Sequence, residues 1–166
     1  MIRAEYTKTP IPVSFTSSNF RIRKRVWKEK DFYPLPRGRL SAKVLVFHEP
    51  KDLHWFWKDI LGRFDLGKGC LAAVHALSIH GERYHKPTDS FIPFFRVDPR
   101  YFCLVGLLKN HLTLEILAHE SVHVGYAYSK RIRRNMFTRK GDLDEEEVAY
   151  PAGRFTAAIY HDLVRK

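Results

Sequence analysis

Residues 111–130 read HLTLEILAHESVHVGYAYSK, and their spacing predicts a helix. Thr113 is a good N-cap, because its hydroxyl can accept a first-turn N–H, and Glu115 sits where the helix dipole favours a carboxylate. Leu114, Leu117, Ala118, Val122 and Gly125 recur at helical spacing as the expected apolar stripe. Within this helix stands His119-Glu120-Ser121-Val122-His123, the pattern H-E-x-x-H. Two histidines at i and i+4 project from one face a turn apart, so both imidazoles can reach one Zn²⁺ at ~2.0–2.1 Å. Glu120, one residue along, is set beside such an ion rather than on it. There it can act as general base on an activated water.

A catalytic zinc site takes three protein ligands and leaves one position for water. The extended metzincin pattern fails, because Tyr126 and Ser129 stand three and six residues beyond His123 and the next histidine is His161. After the helix comes a basic connector, KRIRRNMFTRK (130–140), with six Lys/Arg and no acid, and then DLDEEEVAY (142–150) at the start of a last helical segment. Glu145, Glu146 and Glu147 are the candidate third ligands from that second helix. Asp142 or Asp144 could hold a ligand histidine by its other nitrogen. Tyr126, Tyr128 and Tyr150 are candidate oxyanion donors. Ala149, Ala152, Gly153, Thr156 and Ile159 fall on one face of the last helix. Pro151 would clash with the carbonyl of Glu147, which predicts either a kink or a looser first turn.

LTLEILAHESVH (112–123), with DEEEVAYPAGRF (144–155) some twenty residues later, resembles small gluzincin-like metallopeptidases. These are the ImmA/IrrE-type proteins and the short zincins encoded by phages and mobile elements, and the resemblance covers roughly residues 90–160. It implies an α+β, zincin-like fold, with a small mixed or antiparallel sheet packed on the H-E-x-x-H helix and on a C-terminal Glu-bearing helix. It implies Zn²⁺ as cofactor, with His119 and His123 as ligands. The E-x-x-A frame implies Glu146 as the third ligand, turned inward on a face with Ala149, Tyr150 and Gly153, while Glu145 and Glu147 remain alternatives. Glu147-Val-Ala-Tyr150 also imitates the acid-x-x-Tyr spacing of aspzincins, which implies transition-state stabilisation by Tyr150. The implied activity is peptide-bond hydrolysis with Glu120 as general base. The strand before the helix, FIPFFRV (91–97) or YFCLVGLL (101–108), would offer its edge to an extended protein or peptide substrate.

The chain has 166 residues, which predicts one domain over 1–166, a basic segment (1–40) preceding a catalytic core (41–166). A hydrophobic fraction of 45% excludes a disordered basic tail. KVLVFH (43–48) reads as a strand, and Leu53, Phe56, Trp57, Ile60 and Leu61 as one face of a helix opened by Pro50 and stopped near Gly62. CLAAVHALSI (70–79) is strand or buried helix. No stretch predicts a membrane span, no secretory leader is legible, and Cys70 and Cys103 lie apart in apolar runs. A cytoplasmic protein is expected.

Lys+Arg outnumber Asp+Glu by 29 to 18, a formal charge of +11. Residues 1–40 carry ten Lys/Arg against three acids, and within them FRIRKRVW (20–27) alternates like a half-exposed strand. Arg21, Arg23, Lys24, Arg25, Arg131, Arg133 and Arg134 are therefore candidates to contact an anionic partner, nucleic acid or an acidic protein. The alternative to a peptidase is a catalytically idle zincin-shaped protein that binds through this surface. His80 and His85 could form a second metal site, but solvated or hydrogen-bonded histidines explain them far better.

Overall fold

A computed structural model describes residues 20–61, 66–67, 69–97, 100–132 and 145–165, with the backbone alone described over most of 78–97. After the short helix α1 (Phe20–Arg23) come β1 (Val26–Phe32) and β2 (Ser41–Phe47). Helix α2 (Pro50–Trp55) runs on into a π-type turn (Phe56–Ile60). Strands β3 (Ala72–Ala76), β4 (Ser78–His85), β5 (Ser90–Val97) and β6 (Tyr101–Leu108) come next. The chain then enters α3 (Leu114–Ile132) and α4 (Glu145–Ile159), the latter ending in a second π-type turn (Tyr160–Val164).

The architecture is α+β. Four strands form a mixed sheet in the order β1-β2-β6-β3, while β4 and β5 pair as a separate hairpin. β2 runs parallel to β6, and β1 and β3 are antiparallel to their neighbours. Every residue of β2 and β6 is buried, as expected of central strands covered on both faces. On one face Val44, Val46, Cys103, Val105 and Leu107 pack with Leu117 and Val124 of α3 and with Phe155 and Ile159 of α4. On the other, Leu45, Phe47, Leu104 and Leu108 pack with Leu53, Phe56 and Trp57. Edge-to-face rings lock the first layer, Phe102 on Tyr128 and Phe32 on Phe155, each with centroids 5.2 Å apart.

Two glycines permit the close approach of these layers. A Cβ on Gly106 would lie 2.5 Å from Leu53 Cδ1 and 2.7 Å from Trp57 Cζ3, so α2 sits directly on β6. A Cβ on Gly125 would lie 2.4 Å from the carbonyl oxygen of Val148, so α3 and α4 touch backbone to backbone there. Lys43 is the one cation inside β2, and its Nζ lies 2.6 Å from carboxylate oxygens of both Glu29 and Asp31 on β1. Burial alone would lower its pKa, but the hydrogen bonds to Asp31 and Glu29 outweigh that and hold it well above the usual lysine value.

Several expectations are corrected. FRIRKRVW is not one strand: residues 20–23 form a helical turn, because only Ile22 finds a core to enter. The helix from Pro50 changes to π geometry at Phe56, which turns both Phe56 and Trp57 into the core. YFCLVGLL is a central strand and FIPFFRV belongs to the hairpin, so neither is the sheet's edge beside α3. That edge is β3. The stop near Gly62 lies outside the described residues.

Candidate metal centre

The H-E-x-x-H segment is helical, and its start is capped as the sequence suggests. The Ile116 N–H donates to Thr113 Oγ1 at 3.3 Å and the Leu117 N–H to the Thr113 carbonyl at 3.1 Å. The phase of α3 differs from the expected stripe. Leu117, Ser121, Val124, Gly125, Ala127 and Tyr128 are buried, whereas Leu114, Ala118 and Val122 face outward. With the buried face turned this way, His119 and His123 emerge together on the open side. Their ring centroids are 5.2 Å apart with planes at 68°. That spacing is within reach of two Zn–N bonds to one ion.

Glu120, between them in sequence, is buried where they are exposed. The residue is 6% exposed and lines a pocket of about 350 Å³ between α3 and residues 69–72, which lead into β3. His119, Glu115 and Ile116 line the same pocket from the helix. Burial raises the Glu120 pKa above the usual carboxylate value, with the charges of His119 and His123 acting in opposition. No hydrogen-bond donor among the described residues meets this carboxylate. Cys70 lines the pocket too, its thiol donating to the Ala72 carbonyl at 2.9 Å and its pKa pushed up by burial.

The predicted third ligand is not brought to the pair: among the described residues no group of three His, Cys, Asp or Glu could hold a metal ion. Glu145 and Glu146 are exposed in the first turn of α4, and Glu147 is half-buried, accepting from Ser129 Oγ on α3 at 3.4 Å. The face bearing Glu146, Ala149, Tyr150 and Gly153 is exposed, contrary to the inward turn expected of it. The reason is that Pro151, Ala152, Phe155 and Ile159 fill the core side of α4. The helix continues through Pro151 rather than ending there. Tyr150 is 52% exposed, and its hydroxyl accepts from Arg154 Nη1 at 3.2 Å on its own helix. Tyr128 is a core residue against Phe102, not an oxyanion donor, whereas Tyr126 is exposed on the histidine side. Asp142 and Asp144 lie outside the described residues, as do the side chains of His80 and His85.

The expected cationic surface divides. Arg21, Arg23 and Lys24 are exposed, and Arg25 is half-buried over Trp55 with Nε 3.3 Å from Asp52. Arg131 is 6% exposed and faces the interior, so it does not belong to such a surface. Arg133 and Arg134 lie outside the described residues. Sequence reasoning missed Glu115 and Cys70. Glu115 was within reach, because it stands one turn before His119 on the same face. Cys70 was not, since only the pairing of Ala72 with Leu107 brings it to α3. No helix among the described residues is long and apolar enough to cross a membrane. No family model, curated protein or solved structure matches this chain.

Proposed function

We propose that this chain is a zinc-dependent metallopeptidase of the gluzincin type, a minimal zincin like those of phages and mobile elements, working in the cytoplasm on a protein or peptide. The observation that carries the reading is the division of labour along one helical turn. His119 and His123 stand side by side on the open face, and Glu120, buried as a residue and met by no hydrogen-bond donor among the described residues, lines with His119 the pocket beside them. The donor types suit zinc: two imidazoles from one helix would be joined by Glu146, Glu145 or Glu147 from the acidic first turn of α4 as third ligand. The contact of Gly125 with Val148 supports that choice, because it keeps the start of α4 against α3. Zinc, when bound, supplies Lewis acidity that acidifies a water and polarises a carbonyl.

The chain's own residues do the rest. Glu120 would take the proton of the attacking water and hand it to the leaving amine. The outer side of β3, the sheet edge beside α3, is the place for an extended substrate to pair, and residues 69–72 continue it along the pocket. Tyr150 would have to leave Arg154 to reach an oxyanion. Its present partner, with the exposed Glu146, favours a second reading, a catalytically idle zincin-shaped binding protein. Glu120→Gln separates the two. A peptidase variant keeps its zinc and loses turnover by roughly 10²–10⁴-fold. A binding protein shows no turnover to lose, before or after the substitution.

A further inference from the structure

The register of the sheet collects cations and rings at one end. Val26 lies beside Phe47, and Phe47 beside Leu108. The segment entering β1 and the segments leaving β2 and β6 therefore meet, and the His48 N–H donates to the Arg25 carbonyl at 3.2 Å. Three cation–aromatic pairs surround this end. Lys24 stands over Phe20 at 4.5 Å, Arg25 over Trp55 at 4.2 Å and Lys109 over Trp27 at 5.0 Å. Phe20 is 67% exposed, so α1 presents a large ring to solvent between cations. The nearby acids are engaged already, Asp52 by Arg25 and Glu49 by Lys51. Among the described residues no carboxylate pairs with Arg23, Lys24 or Lys109.

We propose that this end of the sheet binds single-stranded nucleic acid. Arg23, Lys24 and Lys109 take successive phosphates. Bases stack on the Phe20 ring and on the Arg25 guanidinium, which stands over the Trp55 ring. The rings decide between anionic partners. A duplex keeps its base faces inside, so the exposed Phe20 ring among cations favours an anion whose bases are unpaired. Residues 69–72 lie at the same end, because Ala72 pairs with Leu107, so a bound strand would run toward the candidate metal centre. The binding does not require the metal.

Fluorescence anisotropy of the full chain with a labelled oligothymidylate of about 12 nucleotides tests this. Affinity should fall from about 50 to 200 mM salt with a log–log slope near −2, as about three phosphate contacts require on a single strand. Arg23→Glu with Lys24→Glu should weaken binding about tenfold or more. Phe20→Ala, which removes no charge, should weaken it about 5- to 10-fold. Arg37→Glu with Arg39→Glu makes the same charge change in the exposed loop at the opposite end, where Phe32 pairs with Ala42, and should cost less than about threefold. Equal losses from the two charge pairs would reduce the effect to net charge and overturn the assignment. So would an inert Phe20→Ala, competition by oligoglutamate as strong as by oligothymidylate, or no binding at the lower salt.

Discussion

Gly125 and Gly153 lie in the two long helices, and the same substitution at each should move stability in opposite directions. In a helix interior Gly→Ala gains up to about 1 kcal/mol from reduced backbone entropy in the unfolded chain. At Gly153 a new Cβ meets nothing within 4 Å, so the gain is realised in full. At Gly125 it would sit 2.4 Å from the Val148 carbonyl oxygen, about 1 Å inside ordinary contact. The obstructing atom is backbone, so α4 itself must move. Overpacking of that kind costs about 1–3 kcal/mol, more than the propensity gain. Gly153→Ala should therefore raise Tm by about 1–4 °C and Gly125→Ala lower it by about 2–8 °C in a chain of this size. Thermal unfolding by circular dichroism, with urea midpoints at pH 7, measures both. Because Val148 comes directly after Glu147, moving α4 also shifts the acidic turn, and Gly125→Ala should weaken zinc binding about tenfold while Gly153→Ala leaves it unchanged. Effects of the same sign at the two glycines would refute the close crossing of α3 and α4.

Lys43→Met strands Glu29 and Asp31, which remain partly solvated, and should cost about 1–2 kcal/mol in urea unfolding at pH 7. The Lys43 pKa is higher folded than unfolded, so its contribution is complete below the unfolded value; the gap between wild type and variant should stay constant from pH 7 to about 10 and close only at higher pH. Burial raises both thiols, but Cys103 is fully enclosed and Cys70 half-buried. A thiol reagent at pH 8 should therefore modify Cys70 slowly and Cys103 only on unfolding; simultaneous labelling would contradict the placement of β6. Phe155→Ala empties a site in the core beside Phe32 and should cost about 3–5 kcal/mol by denaturant unfolding.

How much could be read ahead of the structure depends on which forces are local. The cap at Thr113 is local and was legible, whereas α3 runs to Ile132, into the stretch that reads as a basic connector. The phase of α3 was not legible, because apolar residues encircle it: Leu114, Val122 and Tyr126 are exposed while Glu120, Ser121 and Arg131 are buried. Only the position of the sheet decides which side goes inward. Likewise β2 and β6 read as strands from their continuous apolar runs, yet strand order depends on long-range pairing, so the edge role of β3 was hidden. In α4 the small residues suggested an inward face, but Phe155 and Ile159 outweigh them in buried area and turn Glu146 to the surface. The side-by-side placement of His119 and His123 was legible because i, i+4 spacing fixes it within one turn. How the acids of α4 sit relative to that pair depends on the crossing of two helices, and spacing carries no such information.

The proposed metal centre is tested most directly by titrating zinc into metal-free protein by calorimetry, beside His119→Ala and His123→Ala. Wild type should take up one equivalent and each variant should lose affinity by orders of magnitude while keeping the wild-type circular dichroism, since both side chains are exposed. Zinc that binds the variants as tightly as wild type, or that finds no saturable site in wild type, would contradict the assignment.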